Sequence, residues 1–165
     1  MPEIKDSYRY QSTDVAFYLI AKANEARIGI NVTKAQKLLY IVYGVYLRVY
    51  GERLLNEHPK AWPYGPVFPT TRKAILKRIT AEELEFPMSE VSEELKADEK
   101  LNKAIDFALK HFGGWNAGQL TTWSHQEGTP WSQTVDFPGF KWGAVIPDEF
   151  IYAYFLKLVR VDNGQ

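Results

Sequence analysis

The sequence contains no cysteine. This absence excludes disulfide bonds, thiolate nucleophiles and cysteine-based zinc sites, and it is typical of a protein in a reducing compartment. The sequence also has no net charge, because 20 Lys and Arg residues balance 20 Asp and Glu residues. No overall electrostatic field would draw the chain to nucleic-acid phosphates or to an anionic membrane, so we do not expect non-specific binding to nucleic acid.

Long hydrophobic runs are missing as well. No stretch approaches the roughly 20 consecutive apolar residues that a membrane-spanning helix needs. Residues 1–10 carry several charges and lack the apolar run of a signal peptide. We therefore expect a cytoplasmic protein with no membrane partner.

The composition that remains is that of a folded globular domain. Apolar residues make up 45% and charged residues 24% of the 165 residues, which argues against extensive disorder. A chain of this length needs only one hydrophobic core. We expect a single domain over residues 1–165, with its core at about 12–158 and loose ends at 1–10 and 161–165.

Hydrophobic periodicity predicts a mainly α-helical fold, a compact bundle with at most a short strand or hairpin. The clearest helix has apolar residues at helical spacing from Val32 to Val49, with Asn31 as its N-cap and Gly51 as its stop. An earlier helix is expected to end near Gly29. The predicted helices other than the clearest one begin near Asp14, Pro69, Leu101, Asn116 and Pro147.

Three segments lack a clear helical pattern. Residues 54–69 contain three prolines in their second half, so a regular helix cannot run through them and we predict an ordered proline-rich loop. Residues 81–100 are acidic and poor in large apolar side chains, which favours an exposed connection or a partly frayed helix. The alternation of residues 140–146 predicts one short strand or extended segment.

Histidine occurs at His58, His111 and His125. These residues lie far apart without partners at metal-ligand spacing, so we predict no metal site. A catalytic relay would need Ser124, His125 and Glu127, but neighbours on a helix point in different directions. We interpret His125 as a half-buried histidine that bonds to nearby backbone. The alternative is a general base assisted by Glu127 or Glu149, which would require a pocket and a carboxylate within hydrogen-bond reach.

Basic residues gather on the short helix predicted after Pro69. They are Arg72, Lys73, Lys77 and Arg78. We interpret them as a solvated helix surface opposite the acidic residues 81–100. The alternative is a nucleic-acid-binding regulator, which would need this face to lie exposed beside further positive groups and would lose affinity steeply with salt.

Residues 61–66, Ala-Trp-Pro-Tyr-Gly-Pro, are the most informative part of the proline-rich loop. Rigid prolines and two large rings around one glycine fix a loop at low entropic cost, so the segment is either a structural clasp or a recognition edge. We expect Trp62 to pack on the long helix and Tyr64 to be exposed. Tyr64, Arg72 and Trp123 form the predicted partner-binding set, because aromatic and Arg side chains dominate binding hot spots.

Several motifs resemble, in the same order, those of the Panacea domain, also called the SocA-like antitoxin domain. Residues 31–40 (NVTKAQKLLY) resemble its helix motif, and residues 61–67 (AWPYGPV) resemble its Trp-x-Tyr-Gly-Pro-Val loop. Leu120 with residues 124–127 (SHQE) and 130–131 (PW) is similar to its Leu, Thr-His and Pro-Trp segment. Residues 146–155 are similar to its final helix, so the likeness spans about residues 14–155.

The resemblance implies an antitoxin with no enzymatic activity and no cofactor. Members of the family neutralise diverse toxin proteins by direct contact, so the implied partner is a cognate protein toxin. One member acts as an adaptor that delivers its toxin to a protease, which makes a protease with its unfoldase the alternative second partner. The family also occurs in prophages and mobile elements, where the gene usually lies beside that of its toxin.

At the level of residues, the resemblance gives structural roles to matched motif positions. These are Lys37, Tyr40, Trp62, Gly65, Pro66, His125 and Trp131. Two positions depart mildly from the family pattern: Ser124 stands where Thr is usual, and Ala35 stands where Leu is frequent. Neither change threatens the fold, and the sequence predicts no particular toxin or oligomeric state.

Overall fold

The structure is a computed structural model that describes residues 3–160, and it confirms the mainly α-helical fold. The helices are α1 (Ser12–Glu25), α2 (Val32–Tyr50), α3 (Pro69–Arg78), α4 (Glu93–Ala97), α5 (Glu99–Phe112), α6 (Ala117–His125), α7 (Pro130–Val135) and α8 (Asp148–Leu158). The strands are β1 (Tyr8–Tyr10), β2 (Arg53–Leu55), β3 (Lys60–Trp62) and β4 (Gly65–Val67). No helix within residues 3–160 is both long and apolar enough to cross a membrane. The expected loose end at 161–165 lies outside the described residues.

Helix α2 is the centre of the bundle. Every residue from Lys34 to Leu47 is buried, and the helix contacts α1, α3, α5, α6, α8, β2 and β4. Burial on all sides is typical of a helix that forms the core of a domain. Both predicted ends are confirmed, since the Asn31 side chain accepts a hydrogen bond from the Lys34 N–H at 2.8 Å and Gly51 ends the helix with a φ of 67°.

Helix α8 lies so close to α2 that one position of α2 has no room for a side chain. A Cβ atom at Gly44 would lie 2.3 Å from the ring of Phe155. This distance is far below the separation of carbon atoms in van der Waals contact, so the glycine allows the ring to pack on the α2 backbone. Phe155 and Ile151 are the buried residues of α8, so this face of the helix packs against the bundle.

Extended structure occurs partly where the sequence did not predict it. Strand β1 runs parallel to β2, with Tyr8 opposite Arg53, so residues 8–10 are not a loose end. The predicted proline-rich loop contains β2 and the antiparallel hairpin β3–β4. Residues 140–146 form no regular strand and contribute only an isolated bridge between Val145 and Lys60. Three-residue strands with proline give too little alternation for the sequence pattern to reveal them.

The acidic residues 81–100 are more ordered than their composition predicted. Three apolar side chains in this segment are buried, namely Leu84, Val91 and Leu95. Asn24 of α1 also holds the segment, because its side chain donates to the Leu84 carbonyl oxygen at 3.0 Å and accepts from the Phe86 N–H at 2.9 Å. The segment is largely exposed, as expected, but these anchors order it into a 3-10 turn at Met88–Glu90 and helix α4.

Asp98 joins the start of α5 to β1. Its carboxylate accepts hydrogen bonds from the Leu101 N–H at 3.0 Å and the Tyr10 hydroxyl at 2.6 Å, and an Arg9 nitrogen lies 3.3 Å away. Burial alone would raise the pKa of Asp98, but these hydrogen bonds and the Arg9 charge outweigh burial and hold the pKa below its usual value. One carboxylate therefore ties the N-terminal strand to the bundle.

Helix α1 ends at Glu25, before the predicted end. The Ile28 N–H donates to the Ala23 carbonyl oxygen at 2.9 Å, and the Arg27 N–H donates to the Asn24 carbonyl oxygen at 3.0 Å. Arg27 has a φ of 57°, so an arginine occupies the left-handed position that glycine usually takes in this capping motif. Because the glycine signal is absent, the sequence pattern did not locate the end of the helix.

Two polar residues between β2 and β3 cap two helices whose own N-cap residues make no side-chain cap. Asn56 Oδ1 accepts from the Ser12 N–H at 2.7 Å. Glu57 accepts from the N–H groups of Thr70 and Thr71 at 2.6 and 3.2 Å, and from the hydroxyls of Ser12 and Thr71 at 3.0 and 2.9 Å. A carboxylate in this place satisfies free N–H groups and complements the dipole of α3. Glu57 therefore links α1 to α3.

Glu57→Ala should destabilise the domain by about 2 kcal/mol, because two helix N–H groups and two buried hydroxyls lose their acceptor. Urea unfolding at neutral pH measures this difference. The control is Glu127→Ala, since Glu127 is exposed and makes no side-chain hydrogen bond within residues 3–160. The control should change the free energy of unfolding by less than about 0.5 kcal/mol. Equal stability of the two variants would contradict the capping role of Glu57.

Candidate functional site

The β3–β4 hairpin has an exposed tip and a buried base. It turns at Pro63 and Tyr64, and both residues are exposed. All residues of β4 are buried. Gly65 follows the turn with a φ of 112°, a conformation that residues with a side chain rarely adopt. The hairpin therefore brings two surface residues to the end of a rigid base.

Three side chains from three helices hold the hairpin by its backbone carbonyl groups. We call Lys37 of α2, His125 of α6 and Trp131 of α7 the carbonyl clamp. Backbone carbonyl groups need hydrogen-bond donors where water is excluded, so these contacts fix the hairpin relative to the bundle. The contacts are Lys37 Nζ to the Pro66 oxygen (3.2 Å), His125 Nε2 to the Pro63 oxygen (2.7 Å) and Trp131 Nε1 to the Trp62 oxygen (2.8 Å).

The residue beside Lys37 on α2 also contacts the segment after the hairpin. Gln36 Oε1 accepts a hydrogen bond from the Phe68 N–H at 2.7 Å, and both residues are buried. Phe68 immediately precedes α3. Two consecutive polar residues of the central helix therefore hold the hairpin base and the start of the next helix.

Gly65 lies directly against the clamp. A Cβ atom at this position would lie 2.6 Å from Ser124 Oγ, 2.9 Å from Lys37 Cε and 3.4 Å from His125 Cε1. No Cβ fits without displacing the Ser124 or Lys37 side chain. The glycine is therefore required twice, by the backbone conformation and by the approach of its neighbours.

Lys37 is 1% exposed, an unusual place for a lysine. Burial lowers its pKa to about 8. No carboxylate in the described part of the chain forms an ion pair with it. The ammonium group has three N–H donors, and the Pro66 carbonyl oxygen accepts from it. The core thus contains a lysine ammonium group whose hydrogen bond is to the backbone of the hairpin.

Both ring nitrogens of His125 face backbone oxygens. Nδ1 lies 2.6 Å from the Thr121 oxygen, and Nε2 lies 2.7 Å from the Pro63 oxygen. A ring N–H at either nitrogen donates to the carbonyl oxygen beside it. This half-buried position agrees with our interpretation of His125 as a backbone-bonding histidine.

The general-base arrangement considered for His125 is not formed. It required a pocket and a carboxylate within hydrogen-bond reach. Between residues 3 and 160 the partners of the ring nitrogens are instead the Thr121 and Pro63 carbonyl oxygens and, 3.3 Å from Nδ1, the Ser124 hydroxyl. The adjacent Ser124 is buried, and its hydroxyl donates to the Thr121 oxygen at 2.9 Å. These groups are arranged to support the hairpin.

Tyr40 and Trp123 lie in the core. Tyr40 is 2% exposed, and its ring centroid lies 6.3 Å from that of Trp123 and 5.8 Å from that of Phe155. Burial raises the pKa of Tyr40 well above its usual value. Trp123 is 7% exposed and also packs against Phe112 at 5.1 Å. The expectation that Trp123 contacts a partner is therefore not supported, because its ring fills the space between helices.

The other two predicted partner residues lie at the hairpin. Tyr64 is 68% exposed at the tip, as expected. Arg72 is half-buried on α3, with its guanidinium carbon 5.7 Å from the centre of the Trp62 ring. This cation–π contact covers the ring that we expected to pack on the long helix.

The basic face of α3 is partly used in contacts with its surroundings. Arg78 pairs with Glu90 at 2.7 Å, in agreement with the expected position opposite the acidic segment. Arg72 covers Trp62, while Lys73 and Lys77 are exposed. Of the four basic residues of α3, only Lys73 and Lys77 are therefore without such a contact among the described residues.

Residues 137–143 add exposed aromatic surface that the sequence analysis did not single out. Phe137 is 62% and Trp142 is 57% exposed. The Trp142 ring lies 6.3 Å from the Trp131 ring of the clamp, so this loop stands beside the hairpin. The loop could have been recognised from its sequence, because aromatic residues alternate with proline and glycine here as they do in residues 61–66.

The model of the family described as antitoxin SocA-like, Panacea domain, matches residues 36–132. The chain belongs to this family. The matched range contains the hairpin and all three residues of the carbonyl clamp.

A relative of this Panacea domain is Antitoxin SocA from Caulobacter vibrioides (strain NA1000 / CB15N). The two sequences are 29% identical over 150 residues, which cover 86% of this chain and 79% of the relative. No solved structure matches the chain.

Lys37→Met should make the stability of this Panacea domain less dependent on pH. The penalty for burying the ammonium is present in full below the folded pKa of about 8, and it fades as the pH rises toward the ordinary value of 10.5. The parent should therefore gain on the order of 2–3 kcal/mol relative to Lys37→Met across this range. Urea unfolding between about pH 7 and pH 10.5 measures the difference, with exposed Lys73→Met as the control. Parallel pH profiles of the parent and Lys37→Met would contradict the buried charge.

Gly65→Ala should destabilise the domain by about 3 kcal/mol, because the new Cβ adds overlap with Ser124 and Lys37 to the strain of a positive φ. Gly128→Ala is the matched control, since Gly128 has a φ of 86° and no atom within 4 Å of the position of a Cβ. The control should lose only about 1 kcal/mol. Thermal and urea unfolding give both values, and equal losses would show that the hairpin does not pack tightly on the clamp.

Proposed function

We propose that this Panacea domain is an antitoxin that neutralises a cognate protein toxin in the cytoplasm by binding it directly. Family membership and the similarity to a protein named Antitoxin SocA support the antitoxin role. The observation that carries the mode of action is the carbonyl clamp, because it holds a rigid hairpin whose tip residue, Tyr64, is 68% exposed. Such a surface is suited to capture rather than to turnover.

Rigidity of the hairpin favours binding for a physical reason. A loop that becomes ordered only on binding loses conformational entropy, and that loss weakens the complex. Here Pro63, Gly65 and the clamp fix the backbone before any partner arrives. Most of the contact energy at the tip would therefore appear as affinity.

The chemistry of the exposed residues also suits a protein partner. Tyr and Trp combine large contact areas with few rotatable bonds, and together with Arg they dominate binding hot spots. Tyr64 and Trp142 are exposed residues of these types at or beside the hairpin, and the half-buried Arg72 lies against the Trp62 ring. We call these three residues the contact surface. Trp123 is left out because it is buried.

Tyr64→Ala should weaken toxin capture about tenfold or more, because it removes an exposed aromatic anchor from a fixed position. The melting temperature should stay within about 2 °C of the parent, since surface substitutions away from special features are near neutral. Leu156→Ala is the control, as Leu156 is an exposed apolar residue on α8 away from the hairpin. The measurements are growth rescue on co-expression with the product of the neighbouring gene, and affinity of the purified pair by calorimetry.

Two outcomes would contradict the proposal. One is a parent protein that neither relieves growth arrest nor binds the neighbouring gene product. The other is growth rescue that disappears when a protease and its unfoldase are deleted, with a short toxin half-life in their presence, which would assign the domain to the adaptor alternative. Binding of nucleic acid by the domain, with an affinity that falls steeply as salt is added, would favour the regulator alternative instead.

A further inference from the structure

An apolar groove lies between the end of α7 and the start of α8, outside the range matched by the family model. It encloses about 340 Å³ and we call it the C-terminal groove. Its residues lie within positions 134–150, whereas the family match ends at 132. Its principal lining residues are Phe137, Phe140, Lys141, Val145, Pro147 and Phe150. A space of this size and composition fits a large apolar side chain.

One charged residue lines the groove. Lys141 is exposed at its edge, and it forms no ion pair with any carboxylate in the described range. An apolar space bordered by a single free cation is complementary to an apolar side chain that has a carboxylate close by. The groove should therefore bind segments with a negative charge more tightly than segments with a positive charge.

The backbone beside the groove has an unpaired N–H and an unpaired C=O at one bridged residue of the described chain, Val145. The Ile146 N–H donates to the Pro59 oxygen at 2.9 Å, and the Ala61 N–H donates to the Ala144 oxygen at 2.8 Å. These two bonds enclose the bridge between Val145 and Lys60, so the N–H and C=O groups of Val145 point away from β3. Between residues 3 and 160 neither group has a hydrogen-bond partner. An unpaired edge of this kind is a template for another strand.

We infer that the C-terminal groove binds an extended segment of the partner protein, with one large apolar side chain in the groove, backbone hydrogen bonds to Val145 and a carboxylate near Lys141. The inference rests on the proposed function in identifying that partner as the toxin. An extended segment meets all three features at once, because side chains two residues apart lie on the same face of a strand. The groove thereby enlarges the contact surface, since Trp142 stands between it and the clamp.

Binding of short peptides tests the chemistry of the groove without the toxin. The probe is the blocked peptide Thr-Asp-Thr-Phe-Thr-Asp-Thr, which places both carboxylates on the face of the aromatic ring. It should shift the Val145 amide and the Trp142 indole signals in nitrogen–proton NMR spectra. A version with Lys in place of Asp should bind about three- to fivefold more weakly at low salt, and the difference should shrink as salt is added. Versions with Ser in place of Phe, or with an N-methyl group on the Phe nitrogen, should bind about tenfold more weakly.

Substitutions in the domain provide the matched test. Lys141→Glu should reverse the preference between the acidic and basic peptides. Val145→Asp should abolish binding, while Leu156→Asp should leave it unchanged, because both residues are 45% exposed and only Val145 lines the groove. Lys141→Glu changes an exposed side chain, so it keeps the test valid even where Val145→Asp lowers stability.

Three results would overturn the inference. They are equal affinity for the acidic and basic peptides at low salt, NMR shifts located away from the groove, and self-association of the free domain that Val145→Asp abolishes, which would assign the groove to a second copy. Toxin capture separates this inference from the proposed function. If Tyr64→Ala weakens capture but Lys141→Glu and Val145→Asp do not, the groove inference fails and the proposed function stands. If the parent captures no toxin, the proposed function fails and the peptide data still decide the groove.

Discussion

Two neighbouring polar side chains on a helix that is buried on every side must find hydrogen-bond partners inside the protein. Gln36 and Lys37 occupy this position on α2, and each makes one hydrogen bond to the backbone of the hairpin base or of the residue after it, Lys37 through Nζ and Gln36 through Oε1. The Gln36 Nε2 atom is buried without a partner among the described residues. Leaving them unpaired would cost more than most single contacts contribute, so the central helix and the hairpin depend on each other. The surface that we propose for recognition is in this way a direct extension of the core.

Local signals predicted the parts of the fold that depend on residues close together in sequence. Helix α2 begins at its Asn31 cap and ends at Gly51, as the pattern indicated. Helix α6 also begins beside Asn116, as expected, and Asn116 and Gln119 form a reciprocal capping box there. Such features could be predicted because every partner in them lies within a few residues. The end of α1 could not, because Arg27 takes a conformation for which its residue type gives no signal.

Long-range features escaped the sequence pattern. Strand β1 pairs with β2 across more than forty residues, and the buried side chains of the acidic segment are too few to produce a visible period. At the site, the family resemblance gave Lys37, His125 and Trp131 structural roles, but their shared target became visible only in the structure. The sequence did not show which side of its short helix Trp123 faces. In the structure the ring packs against Phe112, so it faces the core.

The carbonyl clamp holds main-chain oxygen atoms, and these are the same whatever side chain the residue carries. Position 64 contributes none of the three oxygens, which belong to Trp62, Pro63 and Pro66. Its identity is therefore free to change while the mount beneath it stays intact. A substitution at this one exposed position would thus change the side chain presented to a partner protein while the fold stays the same.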